Sequence, residues 1–510
     1  MSVEREDGKD AGRLGIDDVL GLAKRRGLFW QSAGIYGAAA GLYDYGDVGT
    51  LLKRRFEHLW LSYFVDTNQS YHLIEGTTLL PEKPLIASGH ASRFNDIIVG
   101  CAKCHTFYRA DVLLNESGAE VSEGATSEQI DAVIIGHGIR CPKDKGQLMP
   151  SKPFNMMLDV QLGPERSDKG YLRPETAQSA YLNFFREFNV LRKSLPLGLA
   201  IIGRAYRNEI SPRQGLYRMR ELTQAELQIF FDPESWKPNI SHVSSRKINV
   251  VLHKYKEPRN FSVAELVGEG VPEFYAYHMA MIDTFYRDVI GVPQERFRFL
   301  EKGPEERAFY NRLHMDIEVD IGSWGGFKEV GGLHYRGDYD LSSHSKGSNQ
   351  DHSVSSGGRK IMPHVLELSF GVDRNIWMLI DVFYQRDGER TVLKVAPFLA
   401  PYELAVLPLQ SDEAIDKAVA DIYRRVRPWL KVYLDTGGSI GRRYARMDEI
   451  GTPFCATVDY ETVDSKSANF GTVTVRHRDD KKQERVKVEE LDSFVAKRTM
   501  LDPYKHFHFD

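Results

Sequence analysis

Hydrophobic positions along the chain follow two periods, and each period predicts its own kind of element. Apolar residues recur at helical spacing over residues 17–30, 48–64 and 177–188, which predicts amphipathic helices. In residues 198–231, a polar loop separates an apolar strand-like segment from a segment in which polar and apolar residues alternate, and this pattern predicts a long antiparallel hairpin. Residues 361–384 predict a strand that passes into a helix. The core stripe of the third helix, which follows Thr176 as its N-cap, is predicted to be Ala177, Ala180, Tyr181, Phe184, Phe185 and Phe188; that of the last helix is Val372, Ile376, Leu379 and Phe383.

The remaining segments predict how the chain is divided. Residues 84–150 are polar and hold three of the four cysteines, so we interpret them as an insertion, and residues 233–310 as a second, mostly helical one. The Ser, Gly and His content of residues 342–360 favours a mobile loop over packed structure. Strands and helices alternate from residue 395 to 510, which predicts a compact α/β domain after a first domain of residues 1–394.

Composition adds the broad class of protein. The chain has 510 residues, of which 42% are hydrophobic and 27% charged, and its net charge is -4, so it is neither disordered nor fibrous. With a balanced charge, any polyanion site must be a local basic patch. Four cysteines are too few for a disulfide scaffold, and neither a signal-peptide core nor a membrane-spanning apolar run is present. These features predict a cytoplasmic protein without a membrane segment.

Charged residues cluster at the loop end of the predicted hairpin. An arginine fork grips phosphate in two places, so arginines on a rigid sheet suit a nucleoside triphosphate. The alternative is a solvated strand face whose charges pair across the strands. One face of the first strand is predicted to carry Arg207 and Glu209, and one face of the second Arg218, Arg220, Leu222, Gln224 and Glu226.

A second candidate group surrounds the strand-to-helix junction at Gly371. Arg374 falls in the first turn of the helix, where a cation opposes the helix dipole, so an anionic or aromatic ligand nearby would explain it. Glu367 and Ser369 share one face of the preceding strand. Glu175 precedes the third helix, and there the alternative is an ordinary first-turn acid.

These segments together resemble a known family. RAYRNE (204–209) and ELSFGVDR (367–374) resemble the second and third signature motifs of class II aminoacyl-tRNA synthetases. GYLRPETAQ, YRNEISPRQGL and DEIGTPFC narrow the resemblance to the dimeric archaeal and eukaryotic glycyl-tRNA synthetases, over about residues 20–490. The class I signatures and the phosphate loop GxxxxGK[ST] are absent. The resemblance implies an α+β catalytic domain built on an antiparallel sheet flanked by helices, followed by an α/β anticodon-binding domain.

The resemblance also implies an ATP site with catalytic arginines. Arg207 would hold the α-phosphate and the glycine carboxylate, Arg218 the γ-phosphate, and Glu209 the adenine edge. Arg374, the second catalytic candidate, would stack on adenine and reach the γ-phosphate. Glu329 in GGFKEVGG would bind Mg²⁺. The other implied ATP-site residues are Asn208, Tyr217, Met219, Arg220, Glu221, Leu222, Val330, Gly371, Val372 and Asp373.

The implied amino acid site is rich in acids. Glycine has no side chain to grip, so affinity must come from its ammonium and carboxylate, and selectivity from filling the space that a methyl group needs. No editing site is then required. The implied glycine-binding residues are Arg109, Glu175, Leu222, Thr223, Gln224, Ala225, Glu226, Glu367, Leu368, Ser369, Phe370 and Gly371.

The C-terminal segment predicts a nucleic acid surface. Residues 423–433 and 438–461 are basic with interleaved aromatics, and this part of the chain resembles the anticodon-binding domain of several class II synthetases. Unpaired anticodon bases can be read there by stacking and edge hydrogen bonds. The alternative is a solvated charged surface. The helix of the first motif forms the dimer interface in this class, so the resemblance implies a homodimer.

At four positions the chain departs from the family. Asp47 and Leu368 stand where prolines are usual, and Ser179 stands where glycine is usual, so small backbone differences are expected. Leu222 replaces a phenylalanine that stacks on adenine, and losing that ring removes about 0.5 to 1.5 kcal/mol.

The cysteines resemble an incomplete zinc site. Cys101-x-x-Cys104 and Cys141 would supply three ligands, but Asp144 stands where the family pattern CPxC has its last cysteine, and His105 could serve instead. The other interpretation is the remnant of a lost zinc ribbon. Cys455 is predicted to be a small buried hydrophobe.

The implied activity is that of an ATP-dependent ligase with Mg²⁺. It would convert glycine to glycyl adenylate and then transfer the glycyl group to the terminal ribose of tRNA(Gly). The first step needs no protein general base, because the glycine carboxylate is already a nucleophile. Two alternatives stay open. One is a synthetase-like nucleic-acid-binding accessory protein without activation activity, and the other is a synthetase for serine, threonine or proline.

Overall fold

The computed structural model describes residues 14–119, 121, 125–164, 169–192, 194–210, 212, 214–388 and 390–502. Residues 1–13, part of the segment without a signal-peptide core, lie outside this range. The helices are α1 (Ile16–Arg26), α2 (Asp47–Phe64), α3 (Glu82–Ala87), α4 (His90–Arg93), α5 (Ala110–Glu116), α6 (Ser127–Gly136), α7 (Ala177–Val190), α8 (Val263–Gly268), α9 (Glu273–Thr284), α10 (Tyr339–Ser348), α11 (Val372–Phe383), α12 (Glu413–Val426), α13 (Ile440–Glu449), α14 (Tyr460–Val463) and α15 (Leu491–Thr499).

The strands are β1 (Phe29–Gln31), β2 (Tyr43–Tyr45), β3 (Tyr71–Leu73), β4 (Leu79–Pro81), β5 (Asn95–Gly100), β6 (Phe107–Arg109), β7 (Lys152–Asn155), β8 (Leu158–Gln161), β9 (Lys169–Leu172), β10 (Leu197–Tyr206), β11 (Glu221–Phe231), β12 (Lys247–Val251), β13 (Pro258–Ser262), β14 (Phe297–Glu301), β15 (Leu313–Ile321), β16 (Gly326–Gly337), β17 (Val354–Ser356), β18 (Arg359–Ile361), β19 (His364–Gly371), β20 (Tyr384–Asp387), β21 (Arg390–Leu393), β22 (Leu404–Pro408), β23 (Val432–Leu434), β24 (Phe454–Val458), β25 (Thr472–His477) and β26 (Gln483–Lys487).

A nine-stranded sheet organises the first part of the chain, in the order β13-β12-β14-β15-β16-β19-β11-β10-β3. Neighbouring strands are antiparallel except β3 with β10 and β12 with β14. One face packs on α2, where Trp60 and Phe64 contact Phe370 of β19. The other face packs on α7, where Phe184 stacks on Phe230 of β11 at 4.2 Å between ring centroids. The predicted α+β class with an antiparallel sheet flanked by helices is confirmed.

The predicted hairpin is present as β10 and β11, which pair from Leu197 with Phe230 to Tyr206 with Glu221. Its strands end earlier than the alternation predicts. The sequence predicted strand-face positions for four charged residues, and this prediction is wrong. They lie in the connection between the strands: Arg207, Glu209, Arg218 and Arg220. Gln214 and Gly215 have positive φ (72° and 62°) and begin a 3-10 turn, which ends the extended conformation.

The predicted strand-to-helix junction at Gly371 is confirmed as β19 followed by α11. Val372, Ile376 and Leu379 are buried as expected, whereas Phe383 is only partly buried. In α7 the predicted stripe fails at Phe185, which is exposed on the outer side of the helix.

Two further predictions need correction. The first helix ends at Arg26 rather than at residue 30, because Gly27 adopts φ 67° and the chain turns into β1. The segment 233–310 is not mostly helical: besides α8 and α9 it supplies β12, β13 and β14, which extend the central sheet.

The segment 342–360 is also packed structure rather than the predicted mobile loop. It forms most of α10 and the hairpin β17–β18. Leu341 and His344 are buried, and His344 Nε2 bonds the side-chain oxygen of Gln178 in α7 at 2.9 Å. Serine hydroxyls bond nearby backbone carbonyls, as Ser348 does to His344. This polar segment is ordered because its side chains form hydrogen bonds with nearby side chains and backbone carbonyls.

The last part of the chain is an α/β unit, as predicted. Its five-stranded sheet has the order β23-β22-β24-β25-β26, and β22 is parallel to both β23 and β24. Helix α12 packs on the sheet through Ile415, Val419 and Ile422. Cys455 is buried within this sheet, as expected, and burial raises its pKa to about 12. Among the described residues, no helix is long and apolar enough to cross a membrane.

Candidate active site

A cleft of about 180 Å³ lies on the face of the central sheet that carries α7. Strands β11, β16 and β19 form its floor, and the β10–β11 connection and the start of α11 form one side. The lining residues are Glu175, Arg207, Glu209, Leu216, Tyr217, Arg218, Met219, Leu222, Thr223, Gln224, Glu226, Tyr310, Glu329, Gly331, His334, Arg336, Glu367, Ser369, Gly371, Asp373 and Arg374.

Strand register explains why distant residues meet on this floor. Glu226 of β11 lies opposite Ser369 of β19, which in turn lies opposite Gly332 of β16. Glu367 lies in the next row on the same face, because side chains of a strand alternate between faces. The sequence prediction that these polar residues share a face is confirmed.

Glu226 is the centre of a buried hydrogen-bond network. Its carboxylate accepts bonds from the hydroxyl of Thr176 at 2.5 Å, the hydroxyl of Ser369 at 2.8 Å and the amide of Gln224 at 2.9 Å. Thr176 therefore uses its side chain for the site and not to cap α7. Burial, reinforced by the nearby charge of Glu367, raises the pKa of Glu226 to about 8. The hydrogen bonds of Arg336, the buried cation at this end of the cleft, go to Asp340 and Glu367.

Arg336 is the main site residue that sequence reasoning missed. Its guanidinium donates to Asp340 at 2.7 Å and to Glu367 at 2.8 Å, and it lies over the ring of Tyr310 at 3.8 Å from the centroid. The cation is thus shared by two acids. An arginine at the end of an alternating strand carries no sequence signal that separates it from a surface residue, so only the fold identifies it.

Glu175 lies beside this network. Its carboxylate is 3.4 Å from His90 Nε2 and 3.9 Å from Arg336, and it accepts a bond from Gln178 at 2.9 Å. Burial alone would raise the pKa of Glu175, but His90 and Arg336 lower it well below its usual range. Glu175 is therefore an ionised, buried acid rather than a simple first-turn residue.

The other end of the cleft carries the predicted arginines. Arg374 is ion-paired with Glu329 at 3.0 Å and lies over the ring of Tyr217 at 4.7 Å from the centroid. Arg207 lines the same cleft and bonds the carbonyl of Pro174 at 3.2 Å. Arg207, Arg218 and Arg374 thus line one cleft together with the acids, and Arg374 is paired with one of them, Glu329.

Asp373 links three parts of the fold through its carboxylate. Its carboxylate accepts bonds from the hydroxyl of Tyr45 at 2.6 Å and the backbone N–H of Thr223 at 2.6 Å, and it is ion-paired with Lys53 at 3.1 Å. The side chains are buried, so this pair fixes α2 against the start of α11.

Several residues assigned by the resemblance do not line the cleft. Arg220 bonds the carbonyl of Glu209, Glu221 is ion-paired with Arg204 at 3.5 Å, and the backbone N–H of Asn208 bonds Met156. Arg109 is ion-paired with Asp96 and Asp111 and lines a neighbouring depression that shares Tyr217 and Arg218 with the cleft. The opposite sheet face or the α11 core buries Ala225, Val330, Leu368, Phe370 and Val372.

Comparison with known proteins identifies the family. The chain is 36% identical to the glycine–tRNA ligase of Aeropyrum pernix over 93% of this chain and 95% of that protein. It is 37% identical to that of Pyrococcus furiosus, over 92% and 96%. This chain belongs to the glycine–tRNA ligase family. The ligase of Methanothermobacter thermautotrophicus is 35% identical over 93% of this chain and 97% of its own length.

The two parts of this glycine–tRNA ligase family member match separate domain families. Residues 160–383 match the class II tRNA synthetase core domain (G, H, P, S and T), and residues 403–498 match the anticodon binding domain. A class II core implies ATP and a divalent metal. A prolyl-tRNA synthetase structure from Cryptosporidium parvum, complexed with L-proline and AMP, has a TM-score of 0.55 at 12% identity, over 95% of this chain and 79% of that one. This likeness concerns the fold alone.

Proposed function

We propose that this protein activates glycine with ATP and transfers it to the 3′ end of tRNA(Gly). The acids at one end of the cleft carry the proposal. Three buried carboxylates, those of Glu175, Asp340 and Glu367, lie within 4 Å of Arg336. The fourth, that of Glu226, accepts its hydrogen bonds from neutral side chains. A substrate ammonium would supply Glu226 with a positive partner.

The test is pyrophosphate exchange into ATP with the full chain, Mg²⁺ and one amino acid at a time. We expect exchange with glycine and none with alanine, serine, threonine or proline. Exchange with one of the larger amino acids would indicate another synthetase specificity. No exchange with any amino acid, from folded protein, would favour the accessory-protein alternative.

The affinity for glycine should increase as the pH rises towards 8. Glycine ammonium favours the ionised form of Glu226, and this form is a minority at neutral pH because the pKa of Glu226 is about 8. Between pH 7 and 8 the ionised fraction rises about fivefold, so the glycine Kd should fall by the same factor. Calorimetric titration of the full chain measures this.

The matched variant is Glu226→Gln, which keeps the side-chain size and removes the titration. Its glycine Kd should be weaker and nearly constant over the same pH range. An equally steep pH dependence in this variant would assign the titration to another group and contradict the role of Glu226.

At the other end of the cleft, arginines would hold the triphosphate. We assign Arg207 to the α-phosphate and the glycine carboxylate, Arg218 to the γ-phosphate, and Arg374 to the adenine ring and the γ-phosphate. The glycine carboxylate would attack the α-phosphorus, the bond from this phosphorus to the bridging oxygen would break, and pyrophosphate would leave. The fixed guanidinium groups would stabilise the charge that builds up on the phosphates. Positioning and charge account for the chemistry without a protein base.

A divalent cation fits the residues at this end. The side chain of Glu329 lies at the rim of the cleft, and strand register places Glu318 of β15 directly opposite it. Carboxylate oxygens are the ligands that Mg²⁺ prefers. Glu329 would therefore hold Mg²⁺, which neutralises phosphate charge when bound, whereas the carboxylate of Glu318 is ion-paired with Arg298 at 2.6 Å.

Leu222 offers a gain-of-affinity test of the adenine position, since it lines the cleft without an aromatic face. Leu222→Phe should lower the Kd for ATP about two- to tenfold, the equivalent of 0.5 to 1.5 kcal/mol of ring stacking. Leu222→Ile, without a ring, should leave the Kd near the wild-type value. Equal ATP affinities in the phenylalanine variant and wild type would contradict this position for adenine.

Residues 395–510 would bind the anticodon, and residues 1–394 would carry the catalytic site. Support comes from the matched anticodon binding domain and the basic, aromatic character of this segment. We further propose a homodimer. Ile35 and Tyr36, in the loop before α2, are 91% and 88% exposed, and a second copy would cover them. Sedimentation of the full chain tests the dimer.

We assign the protein to the cytoplasm, where tRNA and a reducing environment are available. None of the four cysteines, which all lie in the described part of the chain, forms a disulfide, and this supports a reducing compartment.

A further inference from the structure

Two short turns in the region of β5 to β7 share one backbone conformation. Each starts at a cysteine, Cys101 or Cys141, whose N–H bonds the carbonyl five residues later at 3.0 Å. In each, the fifth residue has positive φ, 55° at His105 and 58° at Lys145. Its N–H bonds the carbonyl of the first residue, at 3.1 and 2.9 Å. The two turns, 101–106 and 141–146, therefore have the same backbone hydrogen bonds and the same positive-φ position.

The first and fourth residues of both turns bring their side chains together. They are Cys101 and Cys104 in one turn and Cys141 and Asp144 in the other, and their four candidate ligand atoms lie within 4.8 Å of one another. Cys104 Sγ is 3.6 Å from Cys141 Sγ, and Cys101 Sγ is 3.3 Å from Asp144 Oδ1. Tetrahedral zinc with bonds of about 2.0 to 2.3 Å places its ligands about 3.3 to 3.8 Å apart.

Backbone groups already orient two of these side chains. The N–H groups of Lys103 and Cys104 each donate to Cys101 Sγ at 3.4 Å, and the N–H of Gly146 donates to Asp144 Oδ1 at 2.9 Å. A Cβ at Gly146 would lie 2.9 Å from both Cys101 Sγ and Asp144 Oδ1. A larger residue at position 146 would therefore clash with both side chains, and glycine allows the Asp144 carboxylate to contact the Cys101 thiol. Such bonds fix ligands around a metal.

The surroundings suit an anionic metal cluster. Three thiolates and one carboxylate around a divalent ion carry a net charge of about -2. Lys103, Lys143 and Lys145 lie within or beside the two turns and are exposed, so their ammonium groups can offset this charge in solvent.

We propose that Cys101, Cys104, Cys141 and Asp144 form a structural zinc site in which Asp144 is the fourth ligand. His105 is not a ligand. Its side chain is exposed, and it occupies the turn position that Lys145 occupies in the second turn. Asp144 thus holds in the second turn the position that Cys104 holds in the first.

The position of this site gives it a structural task. The hydroxyl of Tyr108 contacts Cys141 Sγ at 3.2 Å, and the next residue, Arg109, lines the depression beside the cleft. Zinc would join β6 to the turn after α6 and hold this wall in place. Among the described residues, none of the hydrogen bonds of the four ligand side chains goes to a residue that lines the cleft, so zinc occupancy is measured independently of the proposed activity.

The experiment uses the full chain, stripped of metal and then supplied with Zn²⁺. We expect one equivalent by mass spectrometric metal analysis, with protection of three thiols from a thiol reagent. In chelator competition, Asp144→Asn should bind Zn²⁺ at least about tenfold more weakly, and Asp144→Cys at least as tightly as wild type. His105→Asn, which tolerates positive φ, should match wild type.

Cobalt substitution reports on the ligands themselves and does not depend on how well Asp144→Asn folds. Co²⁺ in the wild type should give visible bands of a tetrahedral thiolate site, with stronger thiolate charge transfer in Asp144→Cys. The proposal is overturned if wild-type protein binds neither ion, if folded Asp144→Asn binds Zn²⁺ as tightly as wild type, if His105→Asn releases it, or if Asp144→Cys leaves the cobalt spectrum unchanged.

Discussion

Replacing Arg374 with alanine should reduce glycine-dependent pyrophosphate exchange about 10³-fold. Its guanidinium lies over Tyr217 and is ion-paired with Glu329 at the cleft rim, where ATP phosphates would take over the pairing. No other side chain of this turn can both stack on a base and fork onto phosphate. Arg374→Lys keeps the charge but loses the fork, so we expect it to lose at least about tenfold.

The matched control is Arg424→Ala in the anticodon-binding region, an exposed arginine paired with Asp421. It should leave exchange unchanged, since an exposed ion pair contributes little to stability. Folding of both variants is compared by thermal unfolding. Exchange by folded Arg374→Ala within threefold of wild type would contradict the catalytic role, as would an equal loss in the control.

Much of the floor of the cleft could be predicted because strands obey a strict period of two. Glu226 and Gln224 follow from the alternation in β11, and Glu367 and Ser369 from that in β19. What the period could not predict is where a strand ends. Arg207 and Arg218 lie outside the paired strands because pairing ends at Tyr206 and Glu221 and the connection turns at Gly215, and both line the cleft.

Residues whose role depends on burial were not predictable. His344 and Asp340 belong to a segment rich in serine and glycine, whose composition is typical of loops. They are packed in α10 because Gln178 and Arg336 provide buried partners from other elements. The partner of His344 comes from the distant helix α7, whereas Arg336 lies only four residues before Asp340 and is identified as its buried partner by the fold alone.

Arg336→Met should lower the free energy of unfolding by about 3 to 5 kcal/mol near neutral pH. The side chain of Arg336 is 1% exposed, and those of its partners Asp340 and Glu367 are 1% and 5% exposed. Without the cation, both acids remain buried, and the pKa of Glu367, which burial already raises and Arg336 lowers, rises further. Urea unfolding across a pH series measures the effect.

The pH series separates this charge effect from lost packing. Acids whose pKa is raised by folding destabilise the protein increasingly as pH rises above their unfolded pKa, so the loss should be large at pH 8 and shrink towards pH 5. Arg312→Met is the control, because Arg312 forms a half-exposed pair with Asp338 at 2.8 Å, and it should lose about 1 kcal/mol or less. Adding Asp340→Asn to Arg336→Met should recover part of the loss, since one uncompensated charge is removed. An equal loss at pH 5 and pH 8, with no recovery in the double variant, would mean that Arg336 stabilises the fold by packing alone. The ammonium that completes the site would then have to bind without the charge balance that Arg336 maintains among these acids.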